Sequence, residues 1–63
     1  MYKKLYEFRK LKGYSINDMA KIIFKTPATY YKKEIGKVAI TVKEAILISK
    51  KLNSSVEILF MEE

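Results

Sequence analysis

The 63-residue chain has no cysteine, no histidine and no tryptophan. Without cysteine no disulfide can staple the fold. Without cysteine or histidine the usual zinc ligands are missing, so no metal site is expected. There is a single aspartate, Asp18. General acid–base work would fall to isolated glutamates with no evident partner, and no enzyme is expected. Two glycines leave no room for a glycine-rich phosphate loop, and one proline makes the punctuation sparse. The longest apolar run, Ala45 to Ile48, is far too short to span a membrane. No apolar stretch follows Lys3 and Lys4 to suggest a signal peptide. These absences point to a cytoplasmic protein that folds through packing alone, with no cofactor and no small-molecule ligand. One domain, residues 1–63, is expected, and a chain this short buries only roughly 60% of its unfolded surface.

What is present is positive charge, unevenly placed. Residues 1–37 hold ten basic and three acidic groups, whereas residues 38–63 hold three basic and four acidic ones. All the net positive charge therefore belongs to the first part of the chain. Such asymmetry suits a polyanion, either nucleic acid or an anionic membrane surface. The plain alternative is a lysine-rich solvated surface.

Helical signals fill the chain. Leu5, Phe8 and Leu11 form an apolar stripe at helical spacing, and Gly13 stops that helix. Ser15 with Asp18 resembles a capping box and opens a second helix over 16–23, burying Met19, Ala20 and Ile23. After a turn at Phe24 and Lys25, Thr26 suits an N-cap and Pro27 the first helical position. This third helix ends near Gly36. Thr41 with Glu44 caps a fourth, with apolar positions at Val42, Ala45, Ile46, Ile48, Ser49 and Leu52 and a stop at Asn53. Ser54 or Ser55 caps a last short helix with Val56, Leu59 and Phe60 inward. No segment sustains a period of two, so the expectation is an all-α domain of five short helices without strands. Helices this short are marginal alone and must hold one another.

Helix two, a tight turn and helix three have the order of a helix-turn-helix. From Leu5 to Phe60 the fragments F-R-K-L-K-G-Y-S, D-M-A-K-I-I, K-T-P-A-T-Y-Y-K-K-E-I-G-K and T-V-K-E-A-I-L-I-S-K-K-L-N-S-S-V-E-I-L-F occur in order without a gap. Together they resemble the phage-repressor type of that family, called Xre-like or lambda-repressor-like. The resemblance implies a compact five-helix fold that binds double-stranded DNA as a dimer. It implies an ion pair between Arg9 and Glu34, and a buried Tyr30. The chain departs from the pattern at four positions. Ile16 stands where a polar residue holds a phosphate, leaving Asn17 as the substitute. Phe24 stands at the usual glycine of the turn. Ile35 replaces an asparagine. Lys33 replaces an apolar residue, with its stem expected over the core and its ammonium in water.

In a recognition helix the N-terminal residues face base edges in the major groove. By the resemblance these are Pro27, Ala28, Tyr31 and Lys32. Pro27 and Ala28 can touch a thymine methyl or allow close approach. Lys32 can donate to guanine or hold a phosphate. Tyr31 can stack, donate one hydrogen bond, or lie partly buried against helix two. Thr26 and Thr29 could bond phosphates, and Lys25, Lys33 and Lys37 flank the surface. With no Gln, Asn or Arg on this face, DNA shape and half-site spacing would carry much of the specificity.

Against the family pattern, Val38, Ile40, Leu47 and Ile58 are apolar residues beyond what a core needs. They are expected to form a homodimer surface. The resulting expectation is a transcriptional regulator, a small repressor, nucleoid-associated if the chain is prokaryotic or phage-encoded. A helix-turn-helix protein-interaction module, antitoxin-like and with little DNA affinity, is the alternative. A membrane-surface role would rest on helix one, with Tyr2, Leu5, Tyr6, Phe8 and Leu11, whose apolar side is expected in the core instead.

Overall fold

The computed structural model describes residues 1–61, so the last two residues of the expected 1–63 domain lie outside the described part. Among the described residues five α-helices follow one another: α1 (Lys3–Lys12), α2 (Ile16–Ile22), α3 (Pro27–Glu34), α4 (Val42–Leu52) and α5 (Val56–Phe60). No strand occurs among the described residues.

Side-chain caps open four of the helices. The Ser15 hydroxyl accepts from the Asp18 N–H while the Asp18 carboxylate accepts from the Ser15 N–H, and Thr41 and Glu44 repeat this box at α4. Thr26 accepts from the Thr29 N–H, with Pro27 in the first turn. Ser55, rather than Ser54, caps α5. Each cap satisfies N–H groups that the helix itself cannot pair. The helix C-termini follow one rule as well. α1, α2, α3 and α4 each end with a residue at positive φ: Gly13 (78°), Phe24 (61°), Gly36 (87°) and Asn53 (54°). At each of these ends two N–H groups turn back to helical carbonyls, as in Lys25 to Ala20 (3.0 Å) and Phe24 to Lys21 (3.2 Å) after α2.

The core gathers one or two residues from every helix: Leu5, Met19, Ala20, Ile23, Tyr30, Ile48, Leu52 and Leu59. Phe8, Tyr14, Ile16, Ile22, Ile40 and Phe60 pack against it from the edge. α4 and α5 carry α1, and α2 bridges α3 to α4.

Three expectations need correction. Leu11 is 81% exposed and takes no part in the core. Steps of three residues drift about 60° backward each time around a helix, so Leu11 lies far from the face set by Leu5. Arg9, at the closer i+4 position, is the residue buried there. On α4 the inward face is Ala45, Ile48, Ser49 and Leu52, while Val42 (78% exposed) and Ile46 (44%) point to solvent. Lys33 is buried along its whole length, so its ammonium does not reach water.

Candidate nucleic-acid interface

α2, the turn at Ile23–Lys25 and α3 form a helix-turn-helix, and α3 packs chiefly on α2. α3 is tied to the rest of the fold by buried polar contacts at its C-terminal end. The Arg9 guanidinium of α1 donates from Nε to Glu34 Oε1 at 2.8 Å and from Nη2 to Glu34 Oε2 at 3.3 Å. The Tyr30 hydroxyl donates to the same carboxylate at 2.9 Å. Arg9 Nη1 donates to the Tyr14 carbonyl, so one guanidinium joins α1, the α1–α2 turn and α3. Burial, and next the negative Glu34 carboxylate, push the Tyr30 hydroxyl far above the ordinary tyrosine range; it stays a donor at any working pH.

The neighbouring residue makes a second tie. Lys33 Nζ lies 2.9 Å from Glu44 Oε1 and donates to the Ala39 carbonyl at 2.8 Å. The same Glu44 oxygen accepts from the Thr41 N–H at 3.0 Å. Burial alone would raise the Glu44 carboxyl. The Thr41 N–H and the Lys33 ammonium outweigh it and hold the group below its ordinary value. This Lys33–Glu44 pair was not legible in the sequence. Glu44 is fully explained there as a capping residue, and nothing marks a lysine eleven residues upstream as its partner.

With its inner face and end fixed, α3 presents the opposite face to solvent. Pro27, Ala28, Tyr31 and Lys32 are all exposed, at positions that share one side of a helix. Tyr30 is fully buried and Tyr31 is 51% exposed, so the adjacent tyrosines divide between core and surface. Asn17, Lys25 and Lys37 are exposed as well. The Thr26 hydroxyl is engaged by the cap, accepting from the Thr29 N–H and donating to Thr29 Oγ1. The half-buried Thr29 keeps its own hydroxyl proton to donate.

A shallow groove of about 260 Å³ runs beside the turn, between the end of α2 and the start of α4. Phe24, Lys25, Thr41, Lys43 and Leu47 line it. Lys43 was not singled out from the sequence. It stands alone in a near-neutral segment, and only the fold brings it to Lys25.

The four apolar residues beyond core need do not share one environment. Ile40 is half-buried against the core edge and lines a groove with Tyr2, Val42 and Phe60. Leu47 is half-buried in the groove beside the turn. Val38 and Ile58 are exposed.

Residues 5–59 match the helix-turn-helix family. The chain belongs to the Xre-like, lambda-repressor-like helix-turn-helix family. No curated protein and no solved structure gave a match. For a lambda-repressor-like protein the fold is the expected five-helix one. The notable features are then local: Phe24 in the left-handed turn, Ile16 at the head of α2, and a buried pair between Lys33 and Glu44. No helix is long and apolar enough to cross a membrane among the described residues.

Proposed function

We propose that this helix-turn-helix protein is a sequence-specific regulator of transcription, a small repressor, that docks α3 in the major groove of duplex DNA. The observation that carries the reading is the coincidence of two independent features. The exposed face of α3 lies in the part of the chain that holds all the net positive charge, and at the start of that helix the Thr26 cap, which takes the Thr29 N–H, leaves the Ala28 N–H to face an anion. Pro27, Ala28, Tyr31 and Lys32 meet base edges and the adjoining sugars. Asn17, Lys25, Lys37 and the Thr29 hydroxyl hold the flanking phosphates, which fix register without reading sequence. Thr26 serves this surface by capping the helix.

One unit of this size binds DNA weakly, so we assign it a homodimer that spans two half-sites about one helical turn apart. Its contact draws on the exposed apolar residues of the nearly neutral second part, Val38 and Ile58 with Val42 and Ile46. The same exposed residues favour a second reading, a protein-interaction module with little DNA affinity.

Selection from a random duplex pool separates the two. The DNA reading expects enrichment of a twofold-symmetric site, and sedimentation of the parent with that site as a 2:1 complex that Ile58→Glu weakens. A pool that shows no enrichment, with a chain monomeric in every condition, contradicts it.

A further inference from the structure

The turn of the helix-turn-helix holds a residue that the backbone there disfavours. Four helices end through the same left-handed geometry, and three use the residues that accept it readily, Gly13, Gly36 and Asn53. The fourth uses Phe24 at φ 61°. A bulky residue in this region is strained, and strain of this kind persists at functional sites. Packing within the chain does not offset it, because the ring is 80% exposed. Strain and exposure together mark a side chain held out for contact.

Its surroundings indicate with what. Phe24 follows the end of α2 and precedes by two residues the cap of α3. It shares its groove with Lys25 and Lys43. Neither lysine has an ion-pair partner among the described residues. The acidic group nearby, Glu44, is buried and already held by Lys33 and the Thr41 N–H. An exposed apolar ring in a groove with two lysines that lack ion-pair partners among the described residues complements a deoxyribose flanked by phosphates. We propose that Phe24 packs on a sugar of the strand beside the groove entered by α3, with Lys25 and Lys43 on the neighbouring phosphates. This contact rests on the DNA-binding reading of the chain.

The test compares the parent, Phe24→Gly, Phe24→Asn and Lys43→Ala in thermal melts and in fluorescence titrations with random-sequence duplex across a salt series. Glycine and asparagine both tolerate the left-handed turn. The glycine variant should melt roughly 4 °C above the parent as strain is released. Both Phe24 variants should bind DNA about five- to tenfold more weakly. Their salt slope should equal the parent's, because no charge is lost, whereas Lys43→Ala should lower it by about one unit. Unchanged affinity in both Phe24 variants overturns the contact and leaves the ring to another partner. A glycine variant that melts below the parent overturns it too, because the ring would then be repaid by packing within the fold. Failure of the DNA reading itself is distinguishable: the parent would show no binding at low salt, before any variant is compared.

Discussion

Two consecutive residues at the end of α3, Lys33 and Glu34, carry opposite charges, and both are buried. Each has a partner from a different helix, Glu44 from α4 and Arg9 from α1. Such pairs contribute little net stability, but breaking one leaves an uncompensated charge. The two sides of the Lys33–Glu44 pair should therefore respond unequally. Glu44→Gln removes the counter-charge and leaves the buried ammonium with neutral acceptors only, and should cost about 3 kcal/mol in urea unfolding. Lys33→Met restores an apolar stem, and Glu44 keeps its Thr41 N–H, so the cost should stay below about 1 kcal/mol. The pH dependence has a definite sign. The folded Glu44 carboxyl lies below its ordinary value, so its contribution is complete above the unfolded glutamate value of about 4.3 and is lost as pH falls through the folded one. Asp18, lowered by the Ser15 N–H, acts in the same direction. Unfolding measured down to about pH 3 should show acid destabilisation in the parent that is flatter in Glu44→Gln. Equal pH profiles would contradict this assignment. Arg9 with Glu34 was legible through the family pattern. The burial of Lys33 is not legible in the sequence, because only the fold reveals the acceptors that let its ammonium be buried.

At the scale of elements, the helix starts were the most legible feature. A hydroxyl at the cap with an acid three residues on is a local chemical signal, and no distant contact is needed to read it. Ser15–Asp18, Thr26–Pro27 and Thr41–Glu44 all work as their spacing suggests. α3 has only eight residues and depends on its cap. Thr26→Ala should cost about 1 kcal/mol and lower the melting temperature by roughly 4–8 °C. An unchanged melt would mean that the hydroxyl does not cap the helix. The faces of helices were harder to read. Leu11 continues a three-residue spacing that no α-helix sustains, and hydropathy alone does not mark Arg9 as inward; only the resemblance does, because its acceptors come from α3 and the following turn. Hydropathy alone puts Val42 and Ile46 with the core face of α4, yet they share the outward side. The exposure of Pro27, Ala28, Tyr31 and Lys32 on α3 was legible residue by residue. Lys43 and the groove beside Phe24 were not, because they need α4 brought against the end of α2.

For the whole molecule, the family pattern settles the fold, and the charge distribution bears most directly on what the fold does. Lys25, Lys32 and Lys37 are exposed in the basic part of the chain, and the helix that links them is locked by Arg9–Glu34 and Lys33–Glu44. Such a surface should track the backbone of any duplex electrostatically before it distinguishes one sequence from another. The most direct measurement is a titration of the parent against fluorescent random-sequence duplex DNA over a salt series, with Lys32→Ala and Lys37→Ala in parallel. Affinity should fall steeply with salt, with the slope reduced by about one unit in each variant. Absence of binding at low salt, where non-specific attraction is greatest, would contradict the DNA-binding reading.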